Sequence, residues 1–127
     1  MNKLIQISES EWIVMEALWR LGAATAADVI ADLASKKDWN HRTVRTLLFR
    51  LVDKGAADTK AGQSPHVYRP VVRRDKCVRQ ESQSFLQKVF AGNAAELLIH
   101  FVRTAKISPQ EIERLRGLLD DKLSQND

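Results

Sequence analysis

The run from Asn40 to Gly55, NHRTVRTLLFRLVDKG, constrains the fold most, because its pattern predicts a helix with one apolar and one cationic face. The apolar residues share one stripe of a 3.6-residue wheel: Val44, Leu47, Leu48 and Leu51. Basic and hydroxyl residues lie roughly opposite: Arg42, Arg45, Thr46 and Arg50. Asn40 can cap the start and Gly55 can end the helix, which predicts a helix over 41–54.

Two interpretations of the cationic face are open. Three arginines, with no acidic residue between Asn40 and Arg50, suit DNA phosphates and guanine edges, which arginine can contact bidentately. The same face could also be the solvated side of an ordinary surface helix, because periodicity carries no information about partners. The neighbouring elements must distinguish the two.

Length and composition predict a small globular protein. The chain has 127 residues, 44% hydrophobic and 28% charged, which is enough for one domain or two very small ones. The net charge of +4 divides evenly at residue 72, so overall charge does not identify a binding half. Cys77, the single cysteine, excludes an internal disulfide and fits a reducing compartment. No window approaches the roughly 18 apolar residues of a membrane span, so we expect a cytoplasmic protein without direct membrane insertion.

Helix and turn signals predict a winged helix-turn-helix in the N-terminal half. Ser8-x-x-Glu11 starts a first helix, and Thr25 with Asp28 starts a second. After the cationic third helix, two short extended runs around a Gly/Ser/Pro turn predict a β-hairpin over 57–70. In a winged helix the last helix enters the major groove and the hairpin lies along the adjacent backbone. This order of elements favours DNA binding.

The pattern of the C-terminal half predicts a helical dimerisation domain over 73–127, which follows a winged-helix domain over 1–72. Ser108-Pro109-x-Glu111 is a clear helix start. Three short helices in about 55 residues bury too little surface for a core of their own, so we expect a homodimer with interleaved C-terminal helices. The residues expected in its interface are Phe85, Leu86, Val89, Leu97, Leu98, Phe101, Leu115, Leu118 and Leu119. The predicted fold is mainly α with a small β-hairpin.

Three motifs together resemble a known family: ISESEWIVM from Ile7, TVRTLLFRLVDKGA from Thr43, and VYRP from Val67. On these motifs the chain resembles the penicillinase repressors, also called the BlaI/MecI/CopY family, over nearly its whole length. The resemblance implies an N-terminal winged helix, a C-terminal dimerisation region, and repression by binding palindromic operators in double-stranded DNA. No cofactor is expected.

The resemblance also implies which residues contact DNA. Carried over position by position, the recognition-helix contacts fall on Arg42, Thr43, Thr46 and Arg50, with Arg45 a further candidate. Among these we expect Arg42, Thr46 and Arg50 to contact bases or lie beside them, and we expect the wing to contact mainly the backbone. The full set of candidate DNA-binding residues is Asn40, His41, Arg42, Thr43, Arg45, Thr46, Arg50, Lys60, Gln63, Ser64 and Arg69.

The way in which repression ends is a separate question. In the β-lactam-responsive members of the family, a membrane sensor with a metalloprotease domain is linked to cleavage at an Asn-Phe bond, and the matching pair here is His100-Phe101. Cleavage of this bond through a membrane sensor-protease system is one hypothesis. The alternative is that Phe101 is simply a dimer-core residue and that another signal, such as a ligand, releases the DNA. Copper sensing is not expected, because no cysteine follows Cys77.

Other functional classes have weaker support. The sequence has no glycine-rich phosphate loop, no paired catalytic carboxylates and no serine elbow, so an enzyme is not expected. The three histidines lack metal-site spacing, and Cys77 is expected to be a structural thiol. The main alternative is a winged helix used for protein–protein contact, although its outer face would more often be apolar or acidic. Phe49 is expected to pack under the wing rather than to touch a thymine methyl group.

Overall fold

The structure is a computed structural model that describes residues 5–60 and 62–126. It confirms the predicted fold class, with six helices and one two-stranded antiparallel sheet in the described ranges. Within those ranges no helix is both long and apolar enough to cross a membrane. The elements, in chain order, are α1 (Glu9–Leu21), α2 (Ala26–Leu33), α3 (His41–Asp53), β1 (Ala57–Thr59), β2 (Tyr68–Pro70), α4 (Arg74–Phe90), α5 (Ala94–Thr104) and α6 (Pro109–Gln125).

Side chains that precede the helices determine where they begin. In α1, Ser8 Oγ accepts a hydrogen bond from Glu11 N at 3.2 Å, and Ser8 N donates in return to Glu11 Oε1 at 2.9 Å. The same reciprocal box opens α2 at Thr25 and α6 at Ser108. Each box satisfies two of the amide groups that a helix start leaves unpaired. The predicted starts of these three helices are therefore confirmed.

Gly55 ends α3 as the sequence predicts. Its φ of +83° is a left-handed conformation that glycine adopts without a Cβ penalty. Gly55 N donates to Val52 O at 3.0 Å, and Ala56 N donates to Leu51 O at 2.9 Å. This pair of bonds satisfies carbonyl groups of the last turn and directs the chain into β1.

The chain divides into two compact units, Met1–Ser82 and Gln83–Asp127. The sequence places the boundary earlier, after residue 72, because it assigns all of α4 to the helical region. The first turns of α4 lie in the first unit for a physical reason. Arg74 Nε donates to Glu16 Oε1 at 2.7 Å, Gln80 Nε2 donates to Ile5 O at 3.0 Å, and Cys77 is buried.

The first unit has one hydrophobic core, to which α1, α2 and α3 contribute. Met15 and Leu18 of α1, Val29 of α2, and Leu48 and Leu51 of α3 have no exposed surface. Burial of this apolar surface is the main favourable contribution to the folding of a domain of this size. The core therefore fixes how α3 is rotated, and with it which side of α3 faces solvent.

Two tryptophans of α1 contact each other, and one of them, Trp19, packs against this core. Their rings make an edge-to-face contact, with the centroids of Trp12 and Trp19 5.5 Å apart. Trp19 Nε1 donates to Val72 O at 2.9 Å, so its polar atom has a partner. Trp19 packs against the core as predicted, whereas Trp12 is half-buried beside Trp19 and is not among the residues packed against the core.

The predicted hairpin is present, with strands of three residues each. β1 and β2 pair antiparallel with Ala57 opposite Pro70 and Thr59 opposite Tyr68. Tyr68 also pairs with Ala24, since Ala24 N donates to Tyr68 O at 3.0 Å and Tyr68 N donates to Ala24 O at 2.8 Å. The hairpin is thus attached to the segment between α1 and α2. We call residues 57–70 the wing.

The second unit has no comparable core. Between residues 83 and 126 the structure buries no residue, although several aliphatic and aromatic side chains recur along its helices. Leu118 and Leu119 of α6 are 56% and 57% exposed. Ring contacts do occur, with Phe90 6.1 Å from Phe85 and 6.0 Å from His100 between centroids.

Candidate nucleic-acid interface

The outer side of α3 carries the predicted cationic face. Its inner side is the stripe that the sequence predicts, with Val44, Leu47, Leu48 and Leu51 all buried. The exposed side chains on the other side include Arg42, Arg45, Thr46 and Arg50. None of these three arginines forms an ion pair within the described residues. We call Arg42, Arg45, Thr46 and Arg50 the cationic face.

Residues at the start of α3 both cap the helix and expose polar side chains. Asn40 Oδ1 accepts from Thr43 N at 2.9 Å, so this side chain caps the helix. Its amide nitrogen remains the group that could donate to DNA. Thr43 is half-buried, whereas His41 is exposed. Asn40 is exposed as well, so Thr43 is the least accessible of these three candidates.

A cleft of about 460 Å³ lies between the start of α3 and the wing. His41 and Arg45 line it from α3, while Ser64 and His66 line it from the wing. Ala26, in the first turn of α2, lies on a third side. Basic side chains and the amide groups of a helix start both favour an anion, so the cleft can accommodate a phosphate of a DNA backbone.

The wing carries the other four candidate residues on its surface. Lys60, Gln63, Ser64 and Arg69 are all exposed. The wing is closed by Thr59 Oγ1, which donates to Val67 O at 2.9 Å. The predicted wing residues therefore lie in the same unit as the cationic face. Ser64 of the wing and Arg45 of α3 line the same cleft.

The candidate dimerisation residues lie on the second unit and are exposed or half-buried. Three of them, Leu98, Leu115 and Leu119, line an apolar groove of about 360 Å³ between α5 and α6. Val102 also lines it. Contiguous exposed apolar surface of this kind is typical of a site that contacts another molecule.

The candidate cleavage bond, between His100 and Phe101, lies inside α5. Thr104 Oγ1 donates to His100 O at 2.8 Å, and Ala105 N donates to Phe101 O at 2.9 Å. Both carbonyl groups are thus bonded within the helix. A protease would reach this bond after local opening of α5, because nicking favours backbone free of such bonds.

One feature of the first unit was not found by sequence reasoning. Lys54 Nζ donates to Glu11 Oε1 at 2.6 Å and to Gln6 O at 2.8 Å, which joins the end of α3 to the start of α1. Burial by itself would raise the pKa of Glu11, but the hydrogen bonds from Lys54 and Ser8 lower it below the ordinary glutamate value. Because Lys54 and Glu11 are 43 residues apart, no local pattern signals the pair.

The prediction for Phe49 was wrong. Phe49 does not pack under the wing, since its side chain is 70% exposed. The wheel already places it opposite the buried stripe of α3, and the hairpin pairs with Ala24 instead of covering that side.

The remaining reactive groups do not form a second site. Burial raises the pKa of the Cys77 thiol, which makes it a poor nucleophile and fits the predicted structural role. Among the described residues, no three His, Cys, Asp or Glu side chains come together as a metal site.

Comparison with known proteins identifies the family. The sequence profile described as "Penicillinase repressor" matches residues 7–121. The methicillin resistance regulatory protein MecI of Staphylococcus aureus strain N315 is 36% identical over 121 residues, which cover 95% of this chain and 98% of that protein. The penicillinase repressor of Bacillus licheniformis is 29% identical over 95% of this chain and 94% of its own. The chain belongs to the penicillinase repressor family.

Structural similarity agrees with this assignment. The solution structure of the DNA-binding domain of the repressor BlaI has a TM-score of 0.51 and 32% identity, and it covers 58% of this chain and 90% of that domain. The family predicted from the sequence motifs is therefore confirmed. The chain is a DNA-binding transcriptional repressor with a winged helix, and it is not an enzyme.

Proposed function

We propose that the repressor binds a palindromic operator as a homodimer, with α3 of each copy in the major groove and the wing on the adjacent backbone. The observation that carries this proposal is the cationic face, because a buried stripe on the other side of α3 holds three arginines toward solvent, and none of them forms an ion pair within the described residues. A helix that is about 10 Å wide fits the major groove, where arginine can bond both acceptors of a guanine.

The residues divide by the part of the DNA they would reach. We assign base or near-base contacts to Arg42, Thr46 and Arg50 on the exposed side of α3. Backbone contacts are assigned to the start of α3, the cleft and the wing, which supply the remaining candidates: Asn40, His41, Thr43, Arg45, Lys60, Gln63, Ser64 and Arg69. Phosphate contacts of this kind fix the register of a protein on the duplex, and base contacts supply the specificity.

The homodimer is supported by the apolar surface of the second unit. Leu98, Phe101, Leu118 and Leu119 are each exposed by more than two-fifths of their area. A second copy would present the same surface in return, which is the usual arrangement of a symmetric dimer. Two linked winged helices would then bind two half-sites, and this symmetry is the reason to expect a palindrome.

Binding to duplex DNA tests the proposal directly. Sequences selected from a random library by the full chain should contain inverted repeats, and the affinity should fall steeply with salt because bound phosphates release counterions. Arg42→Ala or Arg50→Ala should cost about 1–3 kcal/mol and relax the preference at one operator position. Arg103→Ala, an exposed arginine of the second unit, is the matched control. Equal losses on selected and random DNA would assign Arg42 and Arg50 to phosphates instead.

Release of the operator has two candidate mechanisms. Cleavage between His100 and Phe101 by a membrane sensor-protease system would separate the two DNA-binding units, and the loss of bivalency would weaken binding by roughly 10²–10⁴. The names of the relatives, which include a methicillin resistance regulator, support a response of the β-lactam type. Release by a ligand without cleavage is favoured by the position of this bond inside α5.

The termini of the repressor in induced cells distinguish the two mechanisms. Mass spectrometry should find a fragment that ends at His100 if cleavage releases the operator. An intact chain in fully derepressed cells would exclude cleavage and leave the ligand signal.

A further inference from the structure

Phe49 is the most exposed large apolar side chain in the described part of the chain. The neighbouring leucines of α3 are buried, and none of the aromatic pairs within the described residues includes Phe49. A phenylalanine in water forgoes the free energy that its burial would release. Its exposed ring is therefore available for a contact with another molecule.

The position of Phe49 on α3 indicates what this contact is. With about 100° per residue, Phe49 projects within about 20° of Arg42, in the middle of the exposed side. It follows Thr46 by three residues and Arg45 by four, and side chains at these spacings are neighbours on a helix. Phe49 is therefore surrounded by the cationic face.

Charge complementarity selects DNA over an apolar protein surface. An apolar partner that covered Phe49 would also desolvate Arg42 and Arg45 without pairing them, which is costly. The major groove offers phosphates on both sides for the arginines and one exposed apolar group in its floor, the C5-methyl group of thymine. Asp53, one turn beyond Phe49, is the first acidic residue after the cationic face.

We infer that Phe49 is a specificity-determining residue, which contacts the C5-methyl group of a thymine in each operator half-site. The inference rests on the proposed function, since it needs α3 in the major groove. It adds a preference for thymine to the guanine contacts of the arginines. Cytosine lacks this methyl group, so the contact distinguishes the two pyrimidines at one position.

Removal of single methyl groups from DNA tests the inference. A duplex selected by the full chain is synthesised with deoxyuridine in place of one thymine at a time, which deletes only the methyl group. At one thymine of a half-site the affinity of the unsubstituted chain should fall about fourfold, the equivalent of one buried methyl group. Phe49→Ala should bind the unmodified duplex about as weakly and should not respond to deoxyuridine at that position.

Two further variants make the result specific to Phe49. Phe49→Leu keeps an apolar side chain and should keep the response to deoxyuridine. Val71→Ala removes another exposed apolar side chain of the first unit, outside α3, and should respond like the unsubstituted chain. If Phe49→Ala still loses affinity at the same deoxyuridine position as the unsubstituted chain, the inference is overturned and the proposed function stays intact. Absence of any sequence preference in the unsubstituted chain would overturn both together.

Discussion

The two units of this repressor use their apolar residues in opposite ways. In Met1–Ser82 the side chains of three helices meet in one core, and residues such as Met15 and Leu48 are completely buried. In the described part of the second unit, residues 83–126, nothing is buried, and Leu119 is 57% exposed. The first unit therefore holds its shape by contacts within one chain. The second leaves its apolar surface exposed, and the proposed dimer would cover it.

This difference predicts two kinds of stability. Unfolding of the first unit should be independent of protein concentration, whereas the second should become more stable as the concentration rises, because association stabilises what it binds. The chain allows the unfolding of the two units to be followed separately. Its three tryptophans, Trp12, Trp19 and Trp39, all lie in the first unit. Tryptophan fluorescence thus follows that unit, while circular dichroism follows the helices of both.

The largest expected effect comes from a charge in the apolar surface of the second unit. Leu119→Lys should prevent dimerisation, because burying an unpaired ammonium group against leucines is strongly unfavourable. Loss of bivalency should then weaken binding to a palindromic operator by roughly 10²–10⁴. Sedimentation measures the dimer, and a gel-shift titration measures the affinity. Tryptophan fluorescence should stay unchanged, since the core of the first unit is not altered.

Ser124→Lys is the matched control, because it places the same charge on the opposite side of α6. It should leave both the dimer and the affinity unchanged. A monomer at micromolar concentration in the unsubstituted chain would contradict the comparison between the units. An equal loss of affinity in both lysine variants would show that charge alone, rather than dimerisation, controls binding.

The next effect concerns the stability of the first unit alone. Lys54→Ala removes the ammonium group that bonds Glu11, whose carboxylate is only 2% exposed. Hydrogen bonds to charged groups contribute about 1.5–3 kcal/mol each, so the free energy of unfolding should fall by about this amount. Urea titration followed by tryptophan fluorescence measures it. Lys88→Ala, an exposed lysine of α4 outside the first unit, should change this transition little.

Lowering the pH should gradually remove the stabilisation that the bond between Lys54 and Glu11 provides. The folded-state pKa of Glu11 is lowered, so its carboxylate stabilises the first unit above the ordinary glutamate pKa and loses this effect as the pH falls through the lower folded value. The difference in unfolding free energy between the unsubstituted chain and Glu11→Gln should therefore be full at neutral pH and shrink below about pH 4. A difference that stays constant with pH would assign the effect of Glu11 to packing.

Local sequence patterns predicted the helix starts well and the long-range contacts poorly. Ser8, Thr25, Asn40 and Ser108 all cap helices as expected, because a cap depends on residues only three positions away. The bonds from Lys54 to Glu11 and from Trp19 to Val72 join residues 43 and 53 positions apart. No periodicity in the sequence encodes such pairs.

The candidate site shows the same limit. The wheel correctly separates the buried stripe of α3 from its exposed side, so the positions of Arg42, Arg45 and Arg50 could be predicted. Phe49 was misjudged because an apolar side chain was assumed to be covered by its own chain. The boundary between the compact units lies inside α4, where helical periodicity continues without interruption, so no local pattern in the sequence marks it.

The smallest expected effect compares one substitution in both units. Asn93→Ala removes the cap of α5, whose Asn93 Oδ1 accepts from Glu96 N at 3.1 Å, and loss of such a cap costs about 1 kcal/mol. Because no buried side chain holds α5 otherwise, the helix should open about five times more often. Thermolysin, which cuts before large apolar residues, should then cleave between His100 and Phe101 about five times faster, as followed by mass spectrometry.

Asn40→Ala removes the equivalent cap from α3, where four buried side chains continue to hold the helix. Local opening there is suppressed by the core, so cleavage within α3 should remain slow and should follow global unfolding of the first unit. If both variants are cut equally fast in their own helices, the two units do not differ in local stability. If neither variant is cut faster than the unsubstituted chain, a second copy protects α5 as firmly as the core protects α3. Dilution below the dimer dissociation constant should then restore the difference.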